Sequence, residues 1–323
     1  MIIIGYEAAT KVEKLKINFV DFWPNFLKTD NYFFHLLSTK YEVAIDETDP
    51  DVLFFSVDYN KRRARDLYSN HRSKKVLFTG ENVRPNFDFP GSIEYPRYSI
   101  GRSDAAFTFD YSEDPRNFRL PLWVLFINWF NVPHREDRDQ SYLIPLENLL
   151  NRCSEAYLDK PKFCNFIFSN NSGERIQILS ELLKYKRVDC AGSLANNMST
   201  RVKGRGDQRY KAEFISEYKF TIAAENTKNP GYTTEKIIHP LSVGSVPIYW
   251  GSERVSEDFN KDCFVNADDF SNFKDLADYI KMLDNNDAAY EAIVSQPVFV
   301  DNKIPTRFQP ESVLTFFEEK ILC

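Results

Sequence analysis

Short apolar runs recur along this chain, each followed by a polar loop and then by residues at helical spacing. In the first half, Leu15–Val20, Tyr41–Ile45, Val52–Ser56, Lys75–Thr79 and Ala105–Phe109 have the length and content of buried strands. Between them, Asp30–Leu37 sets Tyr32, Phe33, Leu36 and Leu37 on one helical face, and Lys61–Ser69 reads as a charged helix. The second half repeats the alternation. Phe163–Phe168 is a strand, Glu174–Leu183 an amphipathic helix and Arg187–Cys190 a strand. Asn196–Gln208 is a basic, glycine-bearing loop without pattern. Tyr218–Ala224 and Val246–Trp250 are apolar strands on either side of a helix that Thr233 or Thr234 can cap and Gly244 can stop. Cys263–Val265, Asn272–Leu283, Ala288–Ser295 and Glu311–Ile321 complete the series, with Asp268-Asp269 placed to cap the helix near Asn272.

Strands alternating with helices predict parallel sheets covered on both faces. The break falls over Asn131–Pro161, where the polar run PHREDRDQS precedes a short helix near Leu146–Cys153 that Pro145 can open. The expected organisation is α/β in two Rossmann-like domains facing a central crevice: residues 1–150, residues 151–305, and a C-terminal helix within 306–323.

Two polar clusters sit where such a crevice binds ligands, at the carboxyl ends of apolar strands. One is Glu225–Lys236 (ENTKNPGYTTEK). There Lys236 can neutralise a phosphate, Tyr232 can donate a hydrogen bond to it, and Asn226 and Glu235 can hold sugar or ribose hydroxyls. An ordinary capped helix with exposed Glu and Lys would read the same way. Arg175, early in its helix, can reach the same anion or can lie on the surface. The other cluster is Thr79–Asn86 (TGENVRPN). Gly80 allows an unusual backbone angle or a close approach, and Glu81 can act as a general base or merely pair with Arg84. Asp21 and Trp23 follow the first strand, where an aromatic face with a carboxylate can hold a sugar; Phe22 between them reads as core.

Composition narrows the partners. A net charge of −6 supplies no basic field, so nucleic acid is not expected. The five cysteines are scattered without metal or disulfide spacing, and the four histidines lie far apart. Neither a P-loop nor a GxGxxG fingerprint is present. No apolar run has membrane-spanning length, and MIIIGYEA lacks the features of a signal peptide. Cytoplasmic residence is therefore expected.

Lys219–Ser252, KFTIAAENTKNPGYTTEKIIHPLSVGSVPIYWGS, resembles the signature of the α-1,3-fucosyltransferases of glycosyltransferase family 10, and Val76–Phe87, VLFTGENVRPNF, resembles the family's second hallmark. The similarity is strongest to bacterial members. It implies a GT-B-type fold and inverting transfer of L-fucose from GDP-β-L-fucose to a hydroxyl of an N-acetylglucosamine-containing glycan, with α-1,3 or α-1,4 linkage. Carried over by position, it makes Glu81 the catalytic base. Lys236, Tyr232 and Arg175 become diphosphate contacts, Glu235 and Asn226 donor hydroxyl contacts, and Asp21, Trp23 and Asn82 acceptor-side candidates. No cofactor is implied as required, a divalent metal being at most stimulatory, and membrane association is at most peripheral, at the inner membrane. Pro240, inside the helix that follows Lys236, should kink or shorten it.

Overall fold

The structure is a computed structural model that describes residues 13–56, 72–82, 103–133, 143–151, 157–170, 173–199, 202 and 208–323. The helix expected over Lys61–Ser69, residues 83–86 of the Glu81 loop and much of the loop expected over Asn196–Gln208 lie outside these residues.

The first sheet comes from β1 (Lys14–Val20), β2 (Glu42–Ile45), β3 (Val52–Phe55), β4 (Lys74–Phe78), β5 (Ala105–Thr108) and β6 (Asn117–Arg119), in the order 2-1-3-4-5-6 and parallel throughout. β3 and β5 are buried along their whole length, as expected for parallel strands covered on both faces. One cover is α1 (Tyr32–Ser38). It starts where the Asn31 side chain accepts the Phe34 N–H at 3.0 Å, and it buries Phe33, Leu36 and Leu37. Each such side chain contributes about 1.5–3 kcal/mol when withdrawn from water. The interior is strongly aromatic: Phe54 lies against Phe19 and Phe33, with ring centroids 5.0 and 5.1 Å away.

A 3-10 turn (Leu122–Phe126) and the single-turn α2 (Glu147–Leu150) lead toward the second sheet. α2 opens after Leu146, so Pro145 stands just before the helix and not as its first residue. Then come β7 (Lys162–Phe166), α3 (Gly173–Leu183), β8 (Val188–Cys190), α4 (Gln208–Ser216), β9 (Tyr218–Ala224), α5 (Glu235–Ser242), β10 (Val246–Trp250) and β11 (Val265–Asn266). This sheet is also parallel, in the order 11-10-9-7-8. Both sheets thus contain the same doubly wound core, reversing direction between β1 and β3 and between β7 and β9. The strand at β11 is confined to Val265 and Asn266, because Lys261–Cys263 forms a 3-10 turn instead.

α6 (Phe273–Asp284) and α7 (Asp287–Val294) cover the second sheet. The cap of α6 is Asn272, which accepts the Asp275 N–H at 3.0 Å, while Asp268 and Asp269 occupy a separate 3-10 turn. The expected Asp cap is thus replaced by an asparagine three to four residues closer to the helix. The last helix, α8 (Pro310–Phe317), returns to the first sheet: Phe317 stacks on Phe54 at 5.9 Å and Phe316 meets Phe107 at 5.5 Å. Among the described residues no helix is long and apolar enough to cross a membrane.

Candidate active site

The reversal between β7 and β9 opens the crevice in which sheets of this kind bind ligands. The loop after β9 and the start of α3 meet there. Arg175 is buried on α3, and its guanidinium grips the end of β9: Nε donates to the Ala224 carbonyl at 3.0 Å, Nη2 to the same oxygen at 2.5 Å, and Nη1 to Asn170 O at 3.2 Å. Burial lowers its pKa against the pull of Glu225, Tyr232 and Glu235. Arg175 therefore holds the strand end in place and puts a positive charge beneath the loop.

The loop folds around a carboxylate that sequence reading passed over. Glu225 is fully buried; it accepts the Thr234 backbone N–H at 2.7 Å and the Thr234 hydroxyl at 2.8–2.9 Å. Lys236 Nζ lies 3.2 Å from its Oε2 and donates to Thr234 Oγ1 at 2.9 Å. Thr234, not Thr233, is thus the cap of α5. Burial pushes the Glu225 carboxyl up and Lys236 pulls it back only in part. Burial also lowers the Lys236 ammonium, but Glu225 and Glu235 outweigh it and the net shift is upward. Glu235 sits 3.5 Å from Lys236 and 3.8 Å from Lys211 of α4. Burial raises its carboxyl, yet Lys236 and then Lys211 drive it well below the usual carboxylate range.

Gly231 makes the turn before Tyr232 with φ +83°, and a Cβ there would stand 2.3 Å from the Phe109 carbonyl oxygen. Only glycine meets both conditions. Tyr232 is buried edge-on to Phe109 at 5.2 Å. Its hydroxyl pKa is raised by burial and then by the charges of Glu225, Glu81 and Glu235. Glu81, from the loop after β4, stands next to the residue that joins this loop to the one after β9. The next residue makes the contact directly: Asn82 Nδ2 donates to Thr227 Oγ1, and Asn229 Nδ2 donates to Asn82 Oδ1. Gly80 has no left-handed φ; its value lies in closeness to Leu122, whose Cδ1 would be 2.7 Å from an added Cβ.

Asp21 and Trp23 lie at the reversal of the first sheet. Asp21 is buried with φ +57°, and Trp23 is half-buried, edge-on to Phe26 at 5.2 Å. Phe22 is core, as expected. Asn226 is half-buried between Glu225 and Thr227. Among the described residues no group of three His, Cys, Asp or Glu side chains is arranged to hold a metal ion.

Residues 158–295 match the family model described as glycosyltransferase family 10 (fucosyltransferase) C-term, and residues 17–126 match that of the α-(1,3)-fucosyltransferase FucT N-terminal domain. The α-(1,3)-fucosyltransferase FucT of Helicobacter pylori is 31% identical over 293 residues, covering 85% of this chain and 58% of that protein. The chain belongs to glycosyltransferase family 10.

The fold agrees across nearly the whole chain. A crystal structure of α1,3-fucosyltransferase with GDP-fucose superposes with a TM-score of 0.70 at 26% identity, covering 98% of this chain and 93% of that one. Two parallel sheets in that arrangement are the GT-B-type fold that the resemblance implied. Human GDP-fucose protein O-fucosyltransferase 3 is 26% identical over 296 residues, covering 84% of this chain and 56% of that protein. The chain thus spans a little over half the length of these two curated relatives.

Within this family 10 chain, Asn82 bonds the loop after β9, Arg175 grips the end of that strand, and Lys236 lies between Glu225 and Glu235, while Glu81 adjoins Asn82 and Asn226 and Tyr232 belong to the same loop. Sequence reading missed Glu225 and Lys211. Glu225 was legible only as the end of a strand, although a carboxylate closing an apolar run before a Thr-Glu-Lys helix start is itself a signal. Lys211 gave none, because its helix borders a basic stretch without apolar period.

Proposed function

We propose that this protein transfers L-fucose from GDP-β-L-fucose to a hydroxyl of an N-acetylglucosamine-containing acceptor, with inversion and α-1,3 or α-1,4 linkage. The observation that carries the reading is that Asn82, next to Glu81, is bonded to Thr227 and Asn229 in the loop that leads to Tyr232 and Lys236. In this reading residues 1–150 serve the acceptor and residues 151–305 the donor. Glu81 takes the proton of the acceptor hydroxyl, whose oxygen bonds to the anomeric carbon as the bond from that carbon to the β-phosphate oxygen breaks. GDP leaves against Lys236, the Tyr232 hydroxyl and the charge of Arg175, and the proton stays on Glu81. Glu235 and Asn226 accept and donate to donor hydroxyls, and Asp21 and Trp23 line the acceptor side.

Labelled GDP-fucose offered with lactosamine-type and lacto-N-biose-type acceptors, followed by linkage analysis, tests this reading. Fucosylated product with inverted configuration supports it; no product with any acceptor, or transfer from another GDP-sugar in preference, overturns it. Parallel reactions with and without chelator test the expectation that no metal is required. The likeness to a protein O-fucosyltransferase favours a second reading, in which the acceptor hydroxyl belongs to a protein. A folded-domain acceptor in the same panel separates the two.

A further inference from the structure

We infer that Lys211 is a positioning residue of the donor site: from α4, outside both signature stretches, it holds the Glu235 carboxylate ionised and in place. This deepens the proposed function and rests on it for the role of Glu235. Lys211 is buried, with 8% of its surface exposed, on a helix that packs against α5. A lysine is withdrawn from water only where a counter-charge compensates its desolvation. The counter-charge at Lys211 is Glu235 Oε1, 3.8 Å away.

Lys236 cannot do the same work alone. Its ammonium is already committed to Glu225 at 3.2 Å and to Thr234 at 2.9 Å, and lies 3.5 Å from Glu235. Glu235 is therefore flanked by one cation shared with Glu225 through an ion pair and by one, Lys211, whose ion pair among the described residues is with Glu235. The titratable groups facing it are Lys236 and the neutral His239 from its own helix, Lys211 from α4, Arg175 from α3, Glu225 at the end of β9, and the neutral Tyr232 hydroxyl. Glu225 opposes ionisation of Glu235, so losing Lys211 leaves a carboxylate whose nearest cation is divided between two anions. A protonated Glu235 offers a hydrogen-bond donor where a donor hydroxyl needs an acceptor.

A removed opposite charge at this range raises a carboxyl pKa by about 1–3 units. The wild-type protein should then bind GDP-fucose with flat affinity on the acid side. K211M should lose about tenfold in affinity for each pH unit below the new Glu235 value. The test follows the Glu235 carboxyl carbon by NMR in wild type, K211M, K211Q and K211R, assigned with E235Q, beside calorimetric titration with GDP-fucose from about pH 2.5 to about pH 8, a window that reaches below the ordinary carboxylate range. Thermal melting checks that each variant is folded, and K211Q stands in if K211M is not. An upward Glu235 shift in K211M or K211Q, an acid limb in binding, and recovery of both in K211R are the expected results. An unmoved Glu235 titration, or K211R behaving as K211M, overturns the inference. If Glu235 shifts as expected but wild type binds no GDP-fucose, the proposed function fails while the Lys211–Glu235 coupling stands.

Discussion

Arg119 grips Asp258 with both terminal nitrogens, each 2.7 Å from a carboxylate oxygen. The pair joins the last strand of the first sheet to a segment beyond β10, and neither side chain has much access to water. Arg119 also donates to the carbonyls of Phe109 at 3.2 Å and Gly231 at 3.3 Å, while Asp258 accepts from Arg307 at 3.1 Å and Trp123 Nε1 at 3.3 Å. One guanidinium thus ties the lobes together and steadies the turn that carries Tyr232. Replacing either partner alone strands a buried charge, at a cost of about 3–5 kcal/mol. D258N and R119M should each lower the urea midpoint sharply, and R119M/D258L should recover most of the loss. Single-variant midpoints equal to wild type would contradict the arrangement.

Glu81 reaches the crevice on a loop whose next residue is bonded to the opposite lobe. E81Q should lower transfer by about 10²–10⁴-fold while GDP affinity stays within about twofold, because the loop contacts through Asn82 remain. Turnover and calorimetric GDP binding measured on the same sample decide it. Intact turnover with weakened GDP binding would remove Glu81 from the role of base.

The proposed function gives Lys236 a role on the donor besides its pairing with Glu225, and a double variant separates the two. K236A leaves Glu225 buried without its ion-pair partner, so it should cost stability, about 3 kcal/mol or more, as well as raise the donor KM. K236A/E225Q should regain stability without regaining turnover. Equal recovery of both would mean that Lys236 acts on the fold alone.

His239 gives a pH dependence of stability. Its imidazole is buried, with neither nitrogen hydrogen-bonded among the described residues, and it lies edge-on to Phe126 at 5.2 Å. Burial and the nearby Lys211 and Lys236 hold its pKa well below the ordinary 6.5, with Glu235 opposing. The folded state therefore refuses a proton that the unfolded state accepts. Stability is unaffected by this group above about pH 6.5 and falls below it by about 1.4 kcal/mol per pH unit. Denaturant titrations of wild type and H239F between about pH 5 and about pH 8 should diverge only on the acid side. Parallel curves throughout would show that His239 is protonated in the fold.

The parts of this architecture that a sequence exposes are those set by local rules. Apolar runs of strand length gave β1, β3, β9 and β10 nearly residue for residue, since a strand buried on both faces admits little else. Pro240 was read as a disturbance, and α5 does end two residues after it, at Ser242, before Gly244 turns with φ +70°. Two elements escaped for opposite reasons. β6 is three half-buried residues, too short for a period, and α4 follows glycine and basic residues that hide its start. Long-range charge pairs left no trace at all. Arg119 and Asp258 are 139 positions apart, and nothing local in either neighbourhood points to the other.

The return of α8 to the first sheet sets a timetable for synthesis. Phe54 and Phe107 wait for Phe317 and Phe316, which enter the chain almost two hundred residues after β6 is complete. At about 5–20 residues per second that is a delay of roughly 10–40 s with an aromatic face uncovered. The second sheet is contiguous and meets no such wait, so nascent chains halted just before Pro310 should show a protease-resistant second lobe and a sensitive first one. The half of the molecule made first is the half finished last.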